Sequence, residues 1–123
     1  LLGQWRECCA IARSIAVNGS PNHILVNRIM DYPMEHFWAY ARLVFYEMIE
    51  RGYECHWANF GQWSDRMGSF PEYLEVTNDD IFFDWHNDRY YWQCLANLEE
   101  KFDCGAIPFD EWEPICDEAC LRL

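Results

Sequence analysis

Positive charge is what this sequence has least of. Nine Arg and Lys stand against twenty-one Asp and Glu, for a formal net charge of −12 over 123 residues. The shortage is uneven. Residues 1–53 balance five acids against five bases, while residues 54–123 hold the other sixteen acids and only four bases. Such an acidic surface repels phosphate backbones over roughly 8 Å at physiological salt, which disfavours non-specific nucleic-acid binding by the whole molecule. A local basic face on the first half stays open.

Other absences narrow the class further. No apolar run approaches the ~20 residues of a membrane-spanning helix, and no signal-peptide pattern is present. A soluble, cytoplasmic chain is therefore expected. No stretch alternates apolar and polar residues like a half-buried strand, and there is neither an internal repeat nor a low-complexity tract. There is no Ser-His-Asp constellation, no Gly-rich phosphate loop and no Cys-x-x-Cys knuckle. Cys116-x-x-x-Cys120, even with Cys104 or His86 added, lacks zinc-site spacing, so no metal is expected. Seven cysteines would leave one over from a disulfide framework; reduced, mostly buried thiols are the simpler expectation.

What remains is an all-α pattern in one expected domain, 1–123, with three main helices and long ordered loops. Leu1, Trp5, Cys8, Ala12 and Ile15 recur at helical spacing, and Asn18-Gly19-Ser20-Pro21-Asn22 ends that helix near Val17. Residues 23–32 are mixed. Asp31-Tyr32-Pro33 opens a second helix whose inward stripe is Phe37, Ala41, Val44, Phe45 and Met48, closed by Gly52, with Glu47 and Arg51 as an i,i+4 pair. Residues 53–76 read as an ordered loop held by Trp57, Phe60, Trp63 and Phe70. Thr77-Asn78-Asp79-Asp80 reads as a capping box for a third helix over 79–103, with Phe82, Trp85, Arg89, Trp92, Ala96 and Phe102 as its stripe. The acidic tail, 104–123, has a short helical stretch at 112–121.

The chemistry-bearing candidates are few. His36 and His86 read as hydrogen-bonded structural histidines. The pairs Asp79-Asp80, Glu99-Glu100 and Asp117-Glu118 read as solvated helix ends. Arg6-Glu7 is the exception, a charged pair within an apolar helix. It is either half of an ion-pair network with Arg13 or a carboxylate held near a reacting centre beside phosphate-gripping cations.

Leu1-Leu2-Gly3-Gln4-Trp5-Arg6-Glu7-Cys8-Cys9-Ala10 resembles the first-helix signature of the pyrimidine-dimer DNA glycosylases, the endonuclease V family of phages and bacteria. A second block agrees in order and spacing: Tyr32-Pro33, Tyr40, Val44, Glu47 and Met48, then Arg51-Gly52-Tyr53. The resemblance covers about the first 53 residues, with the third helix extending the family-like part loosely to 103. It implies a helical fold without a sheet core and excision of damaged pyrimidines from duplex DNA, followed by strand cleavage. It implies an α-amine nucleophile and no metal or other cofactor, and is compatible with a phage- or virus-encoded protein. By motif position Glu7 matches the family's catalytic glutamate and Arg6 its DNA-gripping arginine; Arg13 and Arg89 are further candidates for phosphate contacts. Aromatic side chains of 53–70 or 85–92 are expected to stack on, or wedge beside, a displaced base. The chain as given begins inside the motif, so the segment carrying the amine is expected upstream of Leu1. The alternative is a homologue that kept the scaffold and lost the chemistry, meeting a protein partner through its aromatic surface as an interaction or virion structural module.

Overall fold

Apolar spacing and turn chemistry set the first two long helices in the computed structural model, which describes residues 1–68 and 74–123. Helix α1 spans Leu2–Asn18 and buries Trp5, Cys8, Ala12 and Ile15, a 3-4-3 stripe on one face. Gly19 ends it in the left-handed region (φ 84°), its N–H donating to the Ile15 carbonyl at 2.9 Å. A 3₁₀ turn, Val26–Asp31, buries Ile29. Helix α2 spans Met34–Glu50, with Pro33 just outside it as N-cap. It buries His36, Phe37, Trp38, Ala39, Ala41, Val44 and Met48, which contains most of the expected stripe; Phe45 is half-buried. The Glu47–Arg51 pair forms at 2.8 Å, and Gly52 follows with φ 83°.

The expected loop after α2 is partly helical: α3, Ala58–Gly61, and α4, Ser64–Met67. It carries the aromatic centre of this half. The Trp5 ring lies 5.4 Å from Phe45, 6.1 Å from Trp57 and 6.3 Å from Phe60, and Phe60 meets Phe37 edge-on at 5.3 Å. Each fully buried aromatic stabilises by about 1.5–3 kcal/mol. Gly61 permits the approach, because a Cβ there would sit 2.9 Å from the Trp57 indole nitrogen. The expected role of Phe70 lies outside the described residues.

Thr77–Asp80 does not open a helix. The Thr77 hydroxyl pairs with the Asp80 carboxylate at 2.7 Å and the Asp80 N–H donates to the Thr77 carbonyl, closing a turn. Ile81 and Phe82 then pack inward. Phe82 takes a left-handed φ of 49°, and its N–H donates to His36 Nδ1 at 2.9 Å. The side-chain acceptor sits 46 residues away, so it ties this segment to α2. His36 is the structural histidine expected.

The chain divides into two compact units, Leu1–Phe83 and Asp84–Leu123. In the second, α5 spans Asp88–Asp103, nine residues later in its start than expected. The true N-cap is Asn87, whose side-chain oxygen accepts the Tyr90 N–H at 3.0 Å. The shifted start changes the inner stripe. Tyr90, Tyr91, Leu95, Leu98 and Phe102 are its half-buried residues, while Trp92 and Ala96 are exposed. Gly105 ends it as expected, with φ 81°. A fourth long helix, α6, spans Phe109–Leu121 and contains Pro114. Phe102 stacks on Trp112 at 5.4 Å, and Arg122 lies 3.9 Å over the Tyr91 ring. Among the described residues every regular element is helical, in line with the all-α class, and no helix is long and apolar enough to cross a membrane. The cysteines are free, but the expectation that most are buried is corrected: Cys8 alone is buried.

Candidate active site

Burial of one α1 face decides what the opposite face can do. With Trp5, Cys8, Ala12 and Ile15 turned inward, Arg6, Glu7, Ala10, Arg13 and Val17 are exposed. Arg6 and Arg13 are seven residues apart, two turns on one flank and about 10 Å along the axis. Glu7 lies about 100° round the helix from Arg6, with Ser14 two turns beyond it on its own flank. Ala10 falls between the two flanks. A shallow depression lined by Ala10, Arg13, Ser14, Val17 and Asn18 runs there.

The ion-pair alternative for this cluster does not form. Among the described residues, no salt bridge joins Arg6 or Arg13 to Glu7 or to any other carboxylate. The two guanidinium groups and the Glu7 carboxylate all face water, where a phosphate-bearing ligand can reach them. Three of the four candidate residues are thus brought onto one helix surface. Arg89 is not among them: it sits in the first turn of α5, in the second unit, exposed and sharing no element with Glu7.

The adjacent thiols are unsuited to nucleophilic work. Burial pushes the Cys8 thiol up to about 12, and neighbouring Cys9 and Glu7 push in the same direction. Burial, with Cys55 nearby, pushes Cys9 up to about 11. Both are neutral thiols at physiological pH, and the thiolate is the nucleophile. The helix therefore offers a carboxylate and two cations, a set suited to stabilising a cationic intermediate on a phosphate-bearing substrate.

Of the aromatics expected to stack on a displaced base, Tyr53 and Trp92 are exposed and Trp63 is half-buried. Trp57 and Phe60 are engaged in the core cluster with Trp5. The exposed apolar tip of the first unit lies elsewhere, at Ile24 and Leu25, 86% and 66% exposed. Two adjacent aliphatics in a mixed segment look like core in sequence; the flanking Asn22-His23 and Asn27 were the signal of a capped, protruding turn.

Comparison with curated proteins and with solved structures finds no match for the chain. Residues 1–58, which hold α1, the Ile24–Leu25 turn, α2 and Glu7 itself, do match the family model of the pyrimidine dimer DNA glycosylase.

Proposed function

We propose that this protein is a DNA-repair glycosylase with lyase activity on damaged pyrimidines in duplex DNA, and that Glu7 is its catalytic carboxylate. One observation carries the reading: the stretch that matches the glycosylase family presents Glu7 beside Arg6 and Arg13 on a single exposed helix surface, with none of the three in an ion pair among the described residues. Arg6 and Arg13 grip backbone phosphates. The α-amine of the mature N-terminus attacks the sugar C1′. The glycosidic bond breaks, the base departs with the bond electrons, and loss of the amine proton and ring opening leave an imine. Glu7 stabilises the cation and takes the C2′ proton as the 3′ phosphate leaves. An α-amine, with an ordinary pKa near 8, is in useful part unprotonated at neutral pH.

The test uses the full-length gene product with its native N-terminus. It should nick ultraviolet-irradiated plasmid and be trapped on DNA by borohydride. Glu7→Gln should abolish nicking. Retained nicking by that variant would remove Glu7 from the mechanism, and no nicking or adduct from the wild type would remove the enzymatic reading.

A second reading rests on the other unit. Residues 84–123 hold ten acids against three bases, and Ala119 is the one buried residue there. A scaffold that kept the helices and lost the chemistry, serving as a protein-interaction module, would present such a surface. It requires that no adduct form even with an intact N-terminus.

A further inference from the structure

The Ile24–Leu25 tip stands out among the exposed apolar residues of the first unit. Single exposed aliphatics need no explanation, but two adjacent ones this exposed, on a rigid turn, are costly to keep without use. The turn is pre-organised by its own polar groups. His23 Nδ1 accepts the N–H groups of Leu25 (3.2 Å) and Val26 (3.4 Å). The His23 N–H donates to Asn27 Oδ1 at 3.2 Å, and the Asn27 N–H donates to the His23 carbonyl at 2.7 Å. Asn22 supplies the left-handed residue (φ 64°) that turns the chain outward, a conformation Asn tolerates well. Below the tip, Ile29 anchors the following 3₁₀ turn in the core.

The connection leading into the turn is held to α1. The Ser14 hydroxyl donates to the Ser20 carbonyl at 2.8 Å. Ser14 shares its flank of α1 with Glu7, so the chain leaves α1 on the Glu7 side. Both the tip and Glu7 lie within residues 1–58.

We propose that Ile24 and Leu25 form a wedge that enters the base stack of damaged duplex DNA beside the lesion, unstacking it while Arg6 and Arg13 hold the backbone. Apolar side chains of this kind are inserted between base steps by proteins that kink DNA, and a weakened step costs least to open. The turn fits that task because its hydrogen bonds already hold the backbone, leaving less backbone freedom to be lost on insertion. The inference rests on the glycosylase reading. It names an apolar contact with the lesion to accompany the Glu7 chemistry.

The experiment uses the full-length protein and a duplex carrying one thymine dimer, with 2-aminopurine at the neighbouring position. Wild-type protein should raise 2-aminopurine fluorescence on binding. The Ile24→Ser/Leu25→Ser double variant should lose that rise. Its nicking of the dimer duplex should fall about tenfold or more, roughly the worth of one lost stacking contact, with nicking of a single-stranded dimer oligonucleotide unchanged. A Leu25→Met variant should keep both signals. Equal fluorescence and nicking from the double variant and the wild type would overturn the wedge and leave the glycosylase reading standing. A wild type that binds and nicks with no fluorescence rise would do the same. Absence of all binding and nicking by the wild type would overturn both. A double variant altered only in oligomeric state would also overturn the wedge, assigning the tip to protein association.

Discussion

Replacing His36 tests how residues 77–83 are held against α2. In the native structure the buried imidazole does two things. Its Nδ1 accepts the Phe82 N–H at 2.9 Å, and its ring packs against Tyr32 at 5.2 Å and Phe82 at 5.7 Å. His36→Phe keeps a ring and removes the acceptor, leaving the Phe82 N–H buried and unsatisfied at a cost of about 1–3 kcal/mol. Phe82 already sits at φ 49°, a conformation that costs a bulky residue about 1–3 kcal/mol, so losing the tie should let it relax. His36→Asn places an oxygen near the position of Nδ1 and gives up the ring contacts, about 0.5–1.5 kcal/mol for each aromatic pair. The expected signature is therefore local. In His36→Phe, the Phe82 amide should exchange hydrogen about tenfold faster or more, while amides of the α1 interior change little. In His36→Asn, the Phe82 amide should stay protected although urea unfolding shows a lower stability. A Phe variant with native Phe82 protection and native stability would show that the hydrogen bond holds nothing, and that packing alone fixes the segment.

Two further outcomes follow from α1. The Cys8 thiol is raised to about 12 in the folded chain, against about 8.5 unfolded, so the folded state favours the neutral thiol. That contribution is complete below about pH 8.5 and is lost as pH rises towards 12. Between pH 8 and 10.5 the wild type should lose about 2.5 kcal/mol more stability than Cys8→Ala in urea unfolding. Iodoacetamide at pH 8 should label Cys94, Cys104 and Cys120 before Cys8, and equal labelling by peptide mass would contradict the burial of Cys8. Arg6→Gln and Arg13→Gln should each weaken DNA binding about equally across sequences and flatten the log–log salt slope by about 1, measured by fluorescence anisotropy; a sequence-dependent loss would mean base contacts.

The two N-terminal long helices were legible because period and termination agree there. Trp5, Cys8, Ala12 and Ile15 keep a helical step, and Gly19 and Gly52 sit where a left-handed cap is needed. The third helix was misread in its start because Thr77 and Asp80 offer the same side-chain groups to a turn as to a capping box. Only the buried His36–Phe82 bond, 46 residues apart, shows which one wins. The tail helix begins at Phe109, one residue after Pro108; Pro114 within it reads as a breaker in sequence. At the candidate site, the motif singled out Glu7 and Arg6. It could not show that they are free of ion pairs, since that depends on where every other carboxylate falls. The exposed tip was hard to read because Ile24 and Leu25 look like core residues, and only the flanking Asn22-His23 and Asn27 mark the turn.

The packing of Trp5 against Trp57, ring centroids 6.1 Å apart and planes inclined by 31°, also makes α1 optically visible. Two indoles this close and skewed couple their electronic transitions, and coupled transitions of fixed handedness give a paired, opposite-signed band in circular dichroism. Trp5 lies two residues before Glu7, so the sign and size of that couplet follow the axial rotation that aims the carboxylate. Titrating in damaged duplex DNA and watching the couplet would test, without any label, whether α1 turns on binding.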